Sequence, residues 1–293
     1  MITLSTSTWM DNDRMVKDPS YTAKDMLESF KAAGFDYLDA NLWKFSDGNG
    51  PLTRDNWREW AYEFKEEADK AGITFRQSHG VTIPDRFWDS ADSSARDHMI
   101  KMLPRCIEAT KILGAEWMVL HPMAFFGDKL YSAKKAKEET VRFISPYLDM
   151  SKKFGIGIAM ECMRDNNDQH RRYCAGDASE LIELVDEFND KSLGMCIDTG
   201  HAHESGLDVP SFIRAAGSRL KCTHINDNMK FEDSHFPMFF GDIDWVETVK
   251  ALREIGYDGD FSLEVHPQRF PANMREPWYR FLHDLGQRIL DIV

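Results

Sequence analysis

Cys196-Ile197-Asp198-Thr199-Gly200-His201-Ala202-His203 is an apolar run that ends abruptly in an acid, a glycine and two histidines. The residues leading into it, Ser192-Leu193-Gly194-Met195-Cys196-Ile197, have strand length, and Gly200 allows a sharp turn once the strand stops. The stretch therefore reads as a buried strand that delivers Asp198 and His201 at its end. Taken alone it has a second reading, in which Asp198 caps a following helix and His201 is an ordinary loop histidine. Repetition decides between them: strand-like segments ending in Glu or His recur at 73–79, 117–121, 157–161, 220–224 and 261–264.

Working outward, the pattern alternates. Strands are expected over 1–8, 35–42, 73–79, 116–121, 157–161, 192–198, 220–225 and 260–265. Helical periodicity covers 21–33, 54–71, 91–113, 133–154, 178–187, 210–216 and 245–255, with a last helix from Pro277. Pro104 is expected to kink the third helix, and Pro146 to bend or break the fourth. In 35–42, Tyr37, Asp39 and Asn41 share one face and Leu38, Ala40 and Leu42 the other, so the polar face belongs inside a barrel and the apolar one against helices. Eight strand-helix units in a chain of 293 residues predict an α/β fold, a (β/α)8 TIM barrel forming one domain over 1–293. An open doubly wound sheet is the alternative, but no Gly-x-Gly-x-x-Gly turn follows the first strand, so no nucleotide cofactor is expected.

Composition narrows the function. With 36 Lys plus Arg against 49 Asp plus Glu, the net charge of -13 repels phosphate polymers and anionic membrane surfaces, so neither nucleic acid nor membrane is the expected partner. The five cysteines, Cys106, Cys162, Cys174, Cys196 and Cys222, are odd in number and lack zinc-ribbon or redox spacing, which fits free thiols in a reducing cytoplasm. The N-terminus has no basic stretch followed by an apolar core, and no apolar run approaches membrane-spanning length.

In a barrel the C-terminal strand ends converge on one mouth. Eight of the ten histidines fall there: His79, His121, His170, His201, His203, His224, His235 and His266. Strands five to eight bring Glu161, Asp198, His224 and Glu264 around a common centre. Three buried carboxylates would repel one another without a cation, and an oxygen-rich set with one imidazole suits Mn, Mg or Co, with Zn as a further choice.

The motifs Ile158-Ala159-Met160-Glu161, Asp198-Thr199-Gly200-His201, His224-Ile225-Asn226-Asp227-Asn228 and Ser262-Leu263-Glu264 resemble, in combination and order, those of the xylose isomerase-like TIM-barrel superfamily of sugar isomerases and epimerases. The resemblance covers the whole chain. It implies that Glu161, Asp198, His224 and Glu264 hold one divalent metal ion. In the ketose 3-epimerase branch the residues matching Glu161 and Glu264 also move the proton, and the one matching His201 contacts the substrate. A small-molecule carbohydrate substrate is implied, and a homodimer is compatible with it. That branch also carries a substrate-positioning arginine after the seventh strand, whereas this chain reads Asn228-Met229-Lys230-Phe231-Glu232-Asp233.

A second resemblance, to the type-four apurinic endonucleases of the same superfamily, which bind three zinc ions, rests on Asp233-Ser234-His235 following His224. It makes His79, His121, Glu161, Asp198, His201, His224, Asp233, His235 and Glu264 counterparts of that family's ligands. On this view His79, His121, Asp233 and His235 hold a second metal; otherwise they bind sugar hydroxyls. Against a DNA enzyme, the cations of the 163–177 loop, Arg164, Arg171 and Arg172, are offset by Asp165, Asp168 and Asp177.

The expected chemistry is removal of a proton from carbon beside a carbonyl, with the cation stabilising the enediolate. Return of the proton to the opposite face gives epimerisation, and transfer to the neighbouring carbon gives isomerisation. Loss of a β-leaving group would instead make the protein a dehydratase or lyase on a keto-sugar or keto-inositol. A catalytically silent sugar-binding barrel is the non-enzymatic alternative. Trp43 is expected to line the pocket. Arg164, just past Glu161, is expected to bind a substrate hydroxyl or a terminal phosphate or carboxylate, a solvated loop arginine being the bland alternative.

Overall fold

β1 (Thr3–Ser7) pairs on one side with β2 (Tyr37–Asn41) and on the other with β8 (Asp260–Leu263), so the first and last strands of the chain are neighbours. Between them run β3 (Thr74–His79), β4 (Trp117–Leu120), β5 (Gly157–Glu161), β6 (Leu193–Asp198) and β7 (Leu220–His224), all parallel and in chain order. The ring closes where Ile225 bridges to Leu263, with the Ile225 N–H donating to the Ser262 carbonyl at 2.7 Å. This is the (β/α)8 barrel expected from the alternation. The computed structural model describes residues 1–18, 20–82, 93–126, 131–164, 171–173, 176–265 and 270–292.

The helices between strands are α1 (Ala23–Ala33), α2 (Trp57–Ala71), α3 (Ser94–Leu113), α4 (Ala133–Phe154), α5 (Ala178–Phe188), α6 (Val209–Ala216), α7 (Trp245–Glu254) and α8 (Ala272–Ile292). Their apolar stripes pack on the outward faces of the strands. Leu38, Ala40, Phe75, Met118, Ile158, Met160, Ile197 and Leu263 belong to one continuous buried cluster with Phe30, Phe64, Leu103, Ile144 and Leu252. Inward residues follow the opposite parity. Val119, Ala159, Cys196 and Cys222 form a small separate apolar cluster inside the barrel. The other half of the interior is polar, with Ser5, Asp39, Gln77 and Ser262 all buried. Gly157 is required by this packing, because a Cβ there would lie 2.2 Å from the Trp117 ring.

Several elements depart from expectation. α4 is not broken at Pro146, and α8 begins at Ala272 rather than Pro277, where a proline early in the helix removes only one backbone bond beyond the first turn. Two short helices, Leu42–Phe45 and Thr199–Glu204, follow β2 and β6; each is too brief to show a period. A helix over Trp9–Lys17 is anchored by its Asp11, which accepts hydrogen bonds from the Tyr21 hydroxyl and the Arg275 guanidinium, and by Asn12 Nδ2 donating to the Asn41 carbonyl at 2.9 Å. The loops after β4 and β5 contribute an antiparallel pair, Ala124–Phe126 with Arg171–Tyr173. Cys106, Cys162, Cys196 and Cys222 are buried free thiols. Among the described residues no helix is long and apolar enough to cross a membrane.

At the start of β8, far from the mouth, Asp260 is 2% exposed with its Oδ1 3.3 Å from Arg76 Nη1. Burial pushes its carboxyl up to about 7 in spite of that guanidinium. Its folded pKa therefore lies above the unfolded value of about 3.9, so its contribution to stability is complete below that value and is lost as pH rises through about 7. Asp260→Asn removes the dependence, and Arg76 keeps its bonds to Thr3 Oγ1 and the Asp258 carbonyl. Urea unfolding at pH 5 and pH 8 checks this. The variant should gain on the order of 1–3 kcal/mol on wild type between the two pH values, and an unchanged difference would contradict it.

Candidate active site

Glu161, Asp198 and His224 are the last residues of β5, β6 and β7, and Glu264 follows β8 directly. Strand alternation aims them inward: Glu161 shares the interior face of Ala159, Asp198 that of Cys196 and His224 that of Cys222. All four are buried, and one ligand atom from each lies within 4.8 Å of all the others. His224 Nδ1 is 3.1 Å from Glu161 Oε1 and 3.4 Å from Glu264 Oε2. Three further groupings share these side chains: His79 with His224 and Glu264, His79 with His121 and Glu161, and Asp198 with His201 and His235.

Glu161 is ringed by imidazoles. His79 Nε2 lies 3.4 Å and His121 Nε2 3.2 Å from Oε2, and His201 Nδ1 is 3.5 Å from Oε1. Burial alone would raise its pKa, but His224 and His121 more than reverse this and hold the carboxylate well below its usual range. Glu264 goes the other way: burial raises it, and the nearby His224 and His235 do not compensate. Burial opposes a charge on His224, yet Cys196, Glu264, Glu161 and Asp39 together hold its pKa well above the imidazole range. His121, with fewer acids around it, is lowered by burial.

The supporting groups are as ordered as the cluster itself. Asp198 Oδ1 accepts from the backbone N–H of His201 at 2.8 Å, so it caps the Thr199–Glu204 helix while its carboxylate faces the mouth. Asn226 Nδ2 donates to both Asp198 oxygens, at 3.0 and 2.9 Å. Gly200 makes room for that amide, since a Cβ there would sit 1.9 Å from Asn226 Oδ1. Asn228 Nδ2 donates to the Gly200 carbonyl at 2.8 Å and its Oδ1 lies 2.9 Å from His203 Nδ1, so His203 is spent on holding the loop. Asp39 Oδ2 lies 3.3 Å from His224 Nε2 and accepts from Gln77 Nε2 at 2.8 Å. The ring thus stands with Nε2 toward Asp39 and Nδ1 toward Glu161 and Glu264.

The donor set fits a divalent cation. Three carboxylates and one imidazole nitrogen converge, and Glu161 Oε2 is buried without a hydrogen-bond partner. A family profile described as xylose isomerase-like TIM barrel matches residues 27–282. The chain belongs to that family. It is 24% identical over 198 residues to the inosose isomerase of Bacillus subtilis, covering 65% of this chain and 68% of that one. It is also 27% identical over 201 residues to a probable endonuclease 4 of Bacillus licheniformis, covering 60% and 65%. Among solved structures it superposes on a D-psicose 3-epimerase of Clostridium cellulolyticum with a TM-score of 0.71 and 18% identity, covering 91% and 93%. At that identity the superposition speaks for the shared barrel.

Of the residues singled out in the sequence, Glu161, Asp198, His224, Glu264, His79, His121, His201 and His235 gather at the mouth. Asp233 joins them through contacts of 3.4 Å to His201 and 3.2 Å to His235. Trp43 is half-buried with its ring 6.3 Å from that of His79, and Trp9 packs edge-on against His235 at 5.0 Å. Arg164 is committed to Asp233 at 3.0 Å. His170 and His266 lie outside the described residues. Sequence reasoning missed Asp39 and Asn226 as site residues, although the inward parity of Asp39 on β2 and the place of Asn226 in its motif were readable. Asp39→Ala should weaken divalent-ion binding by about 10- to 100-fold, measured by calorimetric titration with Mn. Undiminished affinity would show that Asp39 does not orient His224.

Proposed function

We propose that this protein is a divalent-metal-dependent isomerase or epimerase of a small carbohydrate, moving a proton on the carbon beside a carbonyl. One observation carries the reading: the four buried ligand groups of Glu161, Asp198, His224 and Glu264 converge at the barrel mouth. The relatives named inosose isomerase and D-psicose 3-epimerase support it. Bound there, a Mn, Mg, Co or Zn ion supplies Lewis acidity toward the carbonyl oxygen and its neighbouring hydroxyl.

The protein's own groups divide the proton work. Glu161, held ionised by its imidazole neighbours, takes the proton from carbon, and Glu264, whose burial favours the protonated form, gives one back. Return to the opposite face of the same carbon epimerises, and delivery to the adjacent carbon isomerises. Asp39 and Asn226 hold His224 and Asp198 in place. Trp43 and Trp9 flank the site as apolar walls, suited to the ring face of a sugar and to limiting water around the reacting carbon.

A second reading is multi-metal phosphodiester hydrolysis, favoured by the three additional ligand groupings and by the likeness to a probable endonuclease 4. The net charge of -13 weighs against a nucleic-acid substrate. Incubation with ketoses, aldoses and keto-inositols in deuterated water should label the carbon next to the carbonyl only when divalent metal is present. Glu161→Gln and Glu264→Gln should each slow labelling by about 10²–10⁴-fold. Chelation should abolish it and Mn should restore it. Cleavage of abasic duplex DNA with no carbon-bound exchange in any sugar would install the second reading.

A further inference from the structure

The His201, Asp233 and His235 side chains form a corner of the mouth in which two imidazoles face one carboxylate, and the same two histidines belong to a candidate ligand grouping with Asp198. His201 Nδ1 is 3.1 Å from the Cys162 carbonyl, and His235 Nδ1 is 2.6 Å from the Glu264 carbonyl. Each Nδ1 therefore donates to the backbone, and each Nε2 is turned toward Asp233, at 3.4 Å from Oδ2 and 3.2 Å from Oδ1 respectively. A ring nitrogen fixed by a carbonyl on its far side is the usual posture of a metal-binding histidine. Asp233 Oδ2, however, also accepts from Arg164 Nη1 at 3.0 Å. Arg164 leaves β5 three residues beyond Glu161, and its side chain is about one-third exposed.

We infer that Arg164 acts as the resident cation of this corner and keeps a metal ion out of it, confining metal in this half of the mouth to the Glu161, Asp198, His224 and Glu264 cluster. This rests on reading that cluster as a metal centre. A guanidinium carries its charge at every accessible pH and occupies one of the two Asp233 oxygens, Oδ2, leaving Oδ1 as the single free oxygen of that carboxylate. An ion bound through the remaining oxygen would share the carboxylate with a guanidinium and meet its like charge across it. With Arg164 in place, the two Nε2 atoms and Asp233 stay protein-held and free to meet substrate hydroxyls, the condition of sugar chemistry at a smaller metal centre. Without it, the mouth gains the extra cation that phosphodiester hydrolysis uses. Arg164 is thus a specificity-determining residue for the number of metals.

The test is metal stoichiometry, independent of turnover. Wild type, Arg164→Ala, Arg164→Gln and Arg164→Lys are stripped with chelator, loaded with Zn or with Co, desalted and analysed by elemental analysis, with the visible Co spectrum as a second readout. Ala and Gln should each retain one equivalent more than wild type and gain a new Co band, and Lys should keep the wild-type count. His235→Ala placed on Arg164→Ala should remove the added equivalent. Equal counts in wild type and both neutral variants overturn the inference and leave the metal centre standing. A wild-type count of three overturns it as well, because the corner would then be filled beside the guanidinium. Wild type that retains no metal defeats the underlying reading, and this inference with it.

Discussion

The period-two alternation of a closed parallel sheet is the constraint on which the rest of this molecule depends. Because the barrel interior is filled by every second residue, a strand whose penultimate inward position is small must end with its next inward side chain over the mouth. Ala159, Cys196, Cys222 and Ser262 are those small positions, and Glu161, Asp198, His224 and Glu264 are the residues two further on. A slip of one residue in any of these strands would turn an ionised group into the apolar layer under the helices and bring an aliphatic side chain to the site. Packing and chemistry are therefore specified by the same register. The barrel-closing bonds at Ile225 fix that register for β7 and β8 together.

Burying so much charge requires that it be balanced locally. The mouth answers with imidazoles, whose ring nitrogens lie within 3.5 Å of Glu161 on both its oxygens, and with amides, which serve Asp198. The balance is uneven, and the unevenness is useful. Glu161 has four imidazoles near it and stays ionised, whereas Glu264 is left to burial and is biased toward its neutral form. Two acids of the same chemistry are thus biased toward opposite protonation states by their surroundings. The polar half of the barrel interior extends the same logic below the mouth, where Gln77 and Ser262 donate to the Asp39 oxygen that faces His224.

Much of this was legible in the sequence because it is local. An apolar run that stops in an acid or histidine marks both a strand and the group it delivers, so the eight strands and the cluster at the ends of the last four could be read directly. What could not be read depends on contacts across the barrel. Asp39 meets His224 only because β2 and β7 face each other through the interior. Asn226 meets Asp198 only because Gly200 has no side chain. The helix over Trp9–Lys17 is held by Asp11 through Tyr21 and Arg275, partners from the following turn and from the far end of the chain, and no window along the sequence contains both. Pro146 and Pro277 misled for a different reason: a helix packed along its length against a barrel tolerates one missing backbone bond.

The aromatic and cationic side chains at the rim show how one scaffold carries different chemistries. The ligand groupings overlap, with Glu161 and Asp198 each serving two of them, so the number of cations at the mouth is decided by the residues placed between the groupings. Trp9 against His235 and Trp43 beside His79 set aromatic surface next to these histidines, which under the proposed function offers a sugar ring a face to rest on. Arg164 is a rim cation joined to this constellation through Asp233, with its side chain about one-third exposed. Under the proposed function, a rim of this kind suits a neutral polyhydroxylated ligand better than a phosphate backbone. The acidic surface beyond it acts in the same direction, because it lowers the local concentration of polyanions before any contact is made.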